Sequence, residues 1–336
     1  MNRLFALIGF SYLIMLAACF FVPQTVLIYI LAAITVGFAA SVLIKKSRQE
    51  KTFSVVLLTC ALAISTYLIN FDVNIKPTEK YDGQDVLVSG EICELPYKQN
   101  NKYYYILNVE KINKNDIRMF KIRMSSPKAI DCDVYDKFTG RIHMFLPENS
   151  AGFNSKIFYR SKNIYAHAFL YDHMEYSVET PESKPIYYHA LKLRENMLNT
   201  SKTIFPPRIA ALINGILLNE RHELPEDVKN NFSVTGVYHL LATAGIHVSI
   251  LSQFFLLFFK KLKLNRRTAP ILAATVIFIF MAVTCFTPSI TRAGIMSIIY
   301  LLGLAFFKKP DSINSLGFAM LVMCIVSPNA ALDISL

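Results

Sequence analysis

The chain has 336 residues, 53% of them hydrophobic, a mean hydropathy of +0.37 and a net charge of +11. That hydropathy excludes an ordinary soluble globular protein. The charge does not make the chain a general nucleic-acid-binding surface. It divides as +4 over residues 1–70, +1 over 71–200 and +6 over 201–336, and the excess sits mainly in short loops between apolar blocks: KKSRQEK (Lys45–Lys51), KKLKLNRR (Lys260–Arg267) and the pair Lys308, Lys309. This is the distribution of cytoplasmic loops in a multi-pass membrane protein.

Three apolar blocks open the chain, Arg3–Val22, Thr25–Ile44 and Thr52–Ile69. At about 1.5 Å per residue each is long enough for a hydrocarbon core of about 30 Å. The first has no small-residue cleavage site and is followed at once by another span, so it reads as a retained helix and not a signal peptide. Residues 71–200 are polar with no span. Apolar blocks return at Gly236–Phe259, Thr268–Phe286, Ile290–Phe307 and Ile313–Val326. The expected plan is three transmembrane helices over 1–70, an external β domain over 71–200 and a transmembrane bundle over 201–336. With the basic loops inside, the N-terminus is cytoplasmic and residues 71–200 lie on the outer face.

Between Tyr81 and Val178 the apolar residues favour period two. The strands expected are Asp85–Ile92, Lys102–Ile112, Ile117–Met124, Lys137–Phe145 and Asn163–Val178. Five strands in about 100 residues suit a small barrel of oligonucleotide-binding (OB) type, with a sandwich fragment as the alternative. Such barrels hold single strands with cations and aromatic platforms. Lys102, Tyr104, Lys121, Arg123 and Arg141 are the candidates for DNA contact. Against them, alternate aromatics on strands are commonly core and alternate lysines a solvated face. Cys93 and Cys132 lie in this domain, where a disulfide is permitted. The remaining cysteines, Cys19, Cys60, Cys285 and Cys324, lie in spans as small apolar residues. No Cys/His cluster suggests a metal, and no cofactor is expected.

Residues Phe205–Phe232 come next. Ile209, Leu212, Ile213, Ile216 and Leu217 have amphipathic helical spacing, and LPEDV starts a new helix with Pro225 and two acids in its first turn. The stretch HLLATAGIHVSIL, His239–Leu251, then places two imidazoles in an apolar run. Thr235, His239, Thr243 and His247 are each four residues apart, on one drifting stripe of a helix. Gly245 is a point where the helix can break and line a cavity. Polar groups on one stripe of a lipid-embedded helix face a partner or water. Three uses remain open: lining or bracing a path for a polar polymer, hydrogen-bond glue between helices, or catalysis. In TPSITRAG, Arg292 sits just inside a span on the outer side. It either snorkels outward or faces an inner cavity where it meets phosphate or a carboxylate such as Asp333.

These segments carry a family resemblance. TGVYHLLATAGIHVSIL resembles the ComEC competence signature TG-x-x-HLLAISGLHV. GILLNERHELPEDVKNNF, TPSITRAGIM, SPNAALDISL and AGFNSKIFYRSKNIYAHAFL resemble further blocks of that family, in the right order and over nearly the whole chain. The resemblance implies a polytopic α-helical inner-membrane protein with an inserted external OB-like domain, acting as a channel component that carries single-stranded DNA into the cytoplasm during natural transformation. His239, Thr243, Gly245, His247 and Arg292 would line or brace the route. A membrane-anchored external DNA-binding module without transport activity is the alternative. The partners implied are single-stranded DNA, the lipid bilayer and other competence-machinery proteins, with a homo-oligomer left open. Thr243-Ala244 stands where the family has Ile-Ser, so one hydroxyl is shifted by a residue. The family's further helices and its metallo-β-lactamase-like domain are not found in this sequence, and none of its seven histidines forms the HxHxDH motif of that domain, so no nuclease activity is expected of this chain.

Overall fold

The computed structural model describes residues 3–43, 48–113, 115–149, 154–236 and 245–333. In chain order, the helices α1 (Leu4–Cys19), α2 (Gln24–Leu43) and α3 (Arg48–Asn70) come first. Instead of stopping where the polarity rises, α3 runs on through a π-helical turn, Phe71–Ile75, into the short α4 (Lys76–Lys80). The strands follow as β1 (Gln84–Ile92), β2 (Tyr97–Gln99), β3 (Lys102–Ile112), β4 (Asn115–Ser126) and β5 (Lys137–Phe145). Next are α5 (Ser155–Ser161), β6 (Ile164–Phe169) and β7 (Tyr176–Glu179). The helices α6 (Tyr187–Ile204), α7 (Pro207–Leu218), α8 (Glu226–Val234), α9 (Gly245–Lys261), α10 (Thr268–Val283), α11 (Pro288–Ala305) and α12 (Ser312–Val326) complete the chain, with a final 3-10 turn at Pro328–Leu332.

Among the described residues, Gln24–Ser41, Lys51–Lys80 and Pro288–Ala305 are long and apolar enough to cross a membrane. Shorter apolar helices accompany them at Leu4–Cys19, Pro207–Leu218, Thr268–Val283 and Ser312–Val326. Their packing gathers several helix ends at one end of the bundle. Arg3, before α1, pairs with Asp311, before α12, at 3.0 Å. The ends of α1 and α3 also meet, with the Phe20 and Tyr67 rings 4.9 Å apart. Ser41 of α2 bonds Ser54 of α3, so this pair is antiparallel, with the end of α2 and the start of α3 at the Arg3 end. Arg267, before α10, sits over the Phe307 ring that follows α11. The starts of α1, α3 and α12, the α9–α10 loop and Lys308–Lys309 therefore occupy the end of the bundle away from the barrel.

The barrel closes in the order β1-β3-β4-β6-β5-β1. All of its pairings are antiparallel except β4 with β6. This is the Greek-key, OB-like arrangement, with β2 added to β3 and β7 to β5. Alternation decides what fills it: Val86, Val88, Leu107, Phe120, Ile122, Met124, Phe138 and Ile142 point inward and are 0–2% exposed. β1 pairs with two neighbours across a bulge at Ser89/Gly90, where a Cβ on Gly90 would stand 2.5 Å from the Asn108 carbonyl oxygen.

Three expectations are corrected here. The strand expected over Asn163–Val178 is two strands, β6 and β7, divided by a turn closed from the Met174 amide to the Tyr171 carbonyl. The stripe from Thr235 to His247 is not carried by one helix. α8 ends at Val234, the Thr235 hydroxyl bonds back to Asn231, and Gly236 has φ +71°, outside helical space. His239 and Thr243 lie outside the described residues, and His247 belongs to α9. Third, Cys93 and Cys132 are both free thiols. The Cys93 Sγ donates to the Ile106 carbonyl, whereas Cys132, within the loop after β4, packs on the barrel core. Burial is the main influence that pushes both up to about 12.

A buried polar knot joins barrel to bundle. The Tyr165 hydroxyl of β6 donates to Asn70 Oδ1 at the end of α3. Asn70 Nδ2 donates to Asn329 Oδ1 in the last turn, and Asn329 Nδ2 reaches both Tyr165 and Asn163. All its members are hydrogen-bonded, as burial requires.

A second junction is ionic. Asp133 in the β4–β5 loop pairs with Lys184 and Lys192 and accepts from the Tyr188 hydroxyl at 2.8 Å, tying the start of α6 to the barrel. Burial works to raise the Asp133 carboxyl, but these hydrogen bonds and the Val134 amide outweigh it and hold it down at about 2. A depressed carboxylate stabilises the fold above its unfolded pKa of about 4 and loses that contribution as the pH falls toward 2. Thermal melts of the protein and of Asp133→Asn should therefore differ at pH 7, and the gap should close between about pH 4 and pH 2. A gap independent of pH would show that the charge on Asp133 contributes nothing.

Candidate nucleic-acid interface

On β4, inward Phe120, Ile122 and Met124 alternate with outward Lys121 and Arg123, so two cations necessarily share the outer face. Register places Ile106 of β3 and His167 of β6 on either side of Arg123. The guanidinium lies 3.9 Å over the Tyr104 ring centroid, donates from Nε to the Tyr97 hydroxyl at 3.0 Å and from Nη1 to the Tyr159 hydroxyl at 3.1 Å. Three tyrosines from β2, β3 and α5 thus frame one arginine that has no carboxylate partner among the described residues. His167 packs edge-on to Tyr159 at 4.3 Å, and burial first, then Arg123, lowers it to about 4, so it is neutral near pH 7. Lys121 is different: it pairs with Glu94 at 3.1 Å.

This face is docked against the bundle side of the molecule. Leu95, in the β1–β2 loop, packs with Leu198 of α6, Leu218 of α7 and Val283 of α10. Beside it, His222 of the α7–α8 loop stacks on Tyr97 at 3.8 Å and 15°, and Tyr97 in turn stacks on Tyr104 at 5.3 Å. The loop is held by Asn219 in the left-handed conformation that ends α7, and by Arg194. That buried arginine of α6 donates to the Leu218 and Val283 carbonyls, the ends of α7 and α10, and pairs with Glu220 at 3.0 Å.

Of the DNA-contact candidates, Tyr104, Lys121 and Arg123 are brought together. Lys102 lies on the same strand as Tyr104, with its ammonium 5.1 Å from the Phe169 ring. Arg141 is exposed on β5 opposite Leu87 of β1, away from this face. In the bundle, Gly245 begins α9, and a Cβ there would stand 3.2 Å from the Ala293 Cβ of α11. The start of α9 and the start of α11 therefore meet, with His247 and Arg292 both half-buried close to that contact. Among the described residues, no group of three His, Cys, Asp or Glu side chains is placed to hold a metal ion. Sequence reasoning missed Tyr97, Tyr159, His167, Lys162, Arg221 and His222. The only signal for the last two was their place in the GILLNERHELPEDVKNNF block.

The chain carries apolar helices, an inserted OB-like barrel and, over residues 216–336, a match to the family described as Competence protein. It is similar to ComE operon protein 3 of Bacillus subtilis (strain 168), 26% identical over 160 residues, which is 46% of this chain and 21% of that protein. The match thus spans about a fifth of that relative's length. No solved structure matches the chain.

Proposed function

We propose that the chain acts in DNA uptake during natural transformation, as a component of the membrane conduit that admits single-stranded DNA. The observation that carries this reading is the Arg123–tyrosine face, a cationic and aromatic surface of an OB-like barrel, docked against the loop that leads into the competence-family segment. Aromatic faces accept any base, and an unpaired guanidinium accepts phosphate, so the surface suits a strand of arbitrary sequence. In this reading the barrel lies on the outer side of the cell membrane, and the end of the bundle that carries the α9–α10 loop and Lys308–Lys309 faces the cytoplasm. His239, Thr243, Gly245, His247 and Arg292 line or brace the path, since hydrated phosphates need polar donors wherever they cross hydrocarbon depth. The proposed units are residues 1–70, 71–200 and 201–336, the barrel guides the strand, and this chain contributes no nuclease chemistry.

The test uses competent cells carrying this protein as their only copy and a labelled DNA substrate. Arg123→Ala is expected to cut the label entering the cytoplasm about tenfold, the loss of one stacked and charged contact worth 1–3 kcal/mol. Combined His239→Ala and His247→Ala is expected to lower uptake at unchanged protein level. Full uptake by Arg123→Ala would remove the barrel face from the route, and full uptake by the double variant would remove the histidines.

A further inference from the structure

Three cations converge on one spot at the junction between barrel and α7–α8 loop. They come from distant parts of the chain: Arg123 from β4, Lys162 from the turn after α5, and Arg221 from the residue before His222. None of the three has an ion-pair partner among the described residues. The Arg123 Nη2 makes no hydrogen bond there, and the Arg221 Nε is buried without a partner. The Lys162 ammonium sits 4.2 Å from the Phe158 ring and lies within electrostatic reach of Arg221 and Arg123. Asp333 and Glu94 are the acids in range, and Glu94 is engaged by Lys121. A protein does not gather three cations around an unsatisfied guanidinium for stability, because like charges repel and an orphaned donor costs about 1–3 kcal/mol. An anion placed there relieves both.

The second feature is the stack. Tyr104, Tyr97 and His222 form a continuous pile of rings, whose last member, His222, remains exposed. A planar ligand extends that pile by laying its face on the imidazole. An anion beside an open aromatic end is the footprint of a nucleotide. A lipid headgroup or inorganic phosphate offers the charge but no ring.

Resting on the DNA-uptake reading, we propose that Arg123, Lys162 and Arg221 hold a backbone phosphate of single-stranded DNA whose adjoining base stacks on His222, so that the strand passes from the barrel face to the α7–α8 loop at this point. The loop then does more than connect two helices: it supplies half of the subsite.

The experiment measures binding of a fluorescent single-stranded oligothymidine to the full chain in zwitterionic nanodiscs, as a function of salt. Lys162→Gln and Arg221→Gln are each expected to weaken binding about five- to tenfold at 50 mM salt and to reduce the salt slope by about 0.7. His222→Ala is expected to weaken binding at least about fivefold with the slope unchanged, and to have no effect on a strand made abasic at every position. Lys128→Gln, which removes an exposed charge paired with Asp172 on the barrel, is expected to change neither quantity. Lys162 and His222 are exposed, so their variants keep the test decisive if Arg221→Gln misfolds. No binding by the unaltered protein would overturn the DNA reading and the subsite with it. Binding that all three substitutions leave intact overturns the subsite alone. So does a loss confined to phosphatidylglycerol vesicles or to inorganic phosphate, which would make this a headgroup or free-anion site.

Discussion

Gly317→Leu is expected to separate α1 from α12 and to abolish a cooperative melt in detergent. A Cβ on Gly317 would stand inside the backbone of Ala6 and 2.5 Å from the Phe5 carbonyl oxygen, and Gly9 faces the same contact from the other helix. Backbone cannot yield as a side chain can, so one helix must move bodily. Close approach through small residues is how helices gain contact in lipid, where apolar burial alone provides little drive. The Arg3–Asp311 ion pair and the bond from the Ala6 amide to Asn314 depend on the same approach. Ordinary overpacking costs about 1–3 kcal/mol, and the backbone clash here should exceed it. Gly37→Leu is the comparison, because its Cβ would meet only the Leu57 Cδ1 at 3.9 Å. Its melting temperature should stay close to that of the unaltered protein. Equal stability for Gly317→Leu would mean that the α1–α12 crossing is not needed for the fold.

Arg194→Met should destabilise by about 3–5 kcal/mol, the range for breaking a buried ion pair on one side. The substitution leaves the Glu220 carboxylate without its cation and two helix-terminal carbonyls, Leu218 and Val283, without their donor. Those carbonyls carry the negative ends of α7 and α10, which a cation stabilises. Adding Glu220→Leu should recover part of the loss, because the stranded charge goes with it, and a double-mutant cycle in denaturant would measure that coupling. Strict additivity would show that Arg194 acts through the carbonyls alone. The consequence extends to the site, since Glu220 and His222 share one loop: Arg194→Met should also loosen the stack of His222 on Tyr97.

Much of the barrel was legible because alternation is a local property. Val86, Val88, Phe120, Ile122 and Met124 mark an inner face without knowledge of any partner strand, and the same rule put Lys121 and Arg123 outside. Tyr97 was invisible because its strand has three residues and no period to detect. The break between β6 and β7 was missed because Tyr171 and Met174 preserve apolar character through a turn. Four-residue spacing suggested one helix from Thr235 to His247, but spacing carries no information about the positive φ of Gly236. The free state of Cys93 and Cys132 was equally unreadable, since a bridge depends on where two loops lie in space.

From residue order alone followed the apolar blocks, the two-residue period of the barrel, the gathering of positive charge in short loops and the family of the α7–α12 segment. Each comes from neighbours along the chain and from the hydrophobic effect acting on them. Only the folded arrangement decided that Arg123 meets Tyr97 and Tyr159, that His222 lies on Tyr97, and that Asn70, Tyr165 and Asn329 share one buried knot. These partners are separated by up to 259 positions. Their meeting depends on how α3, the barrel and the bundle dock, which no pattern along the chain encodes.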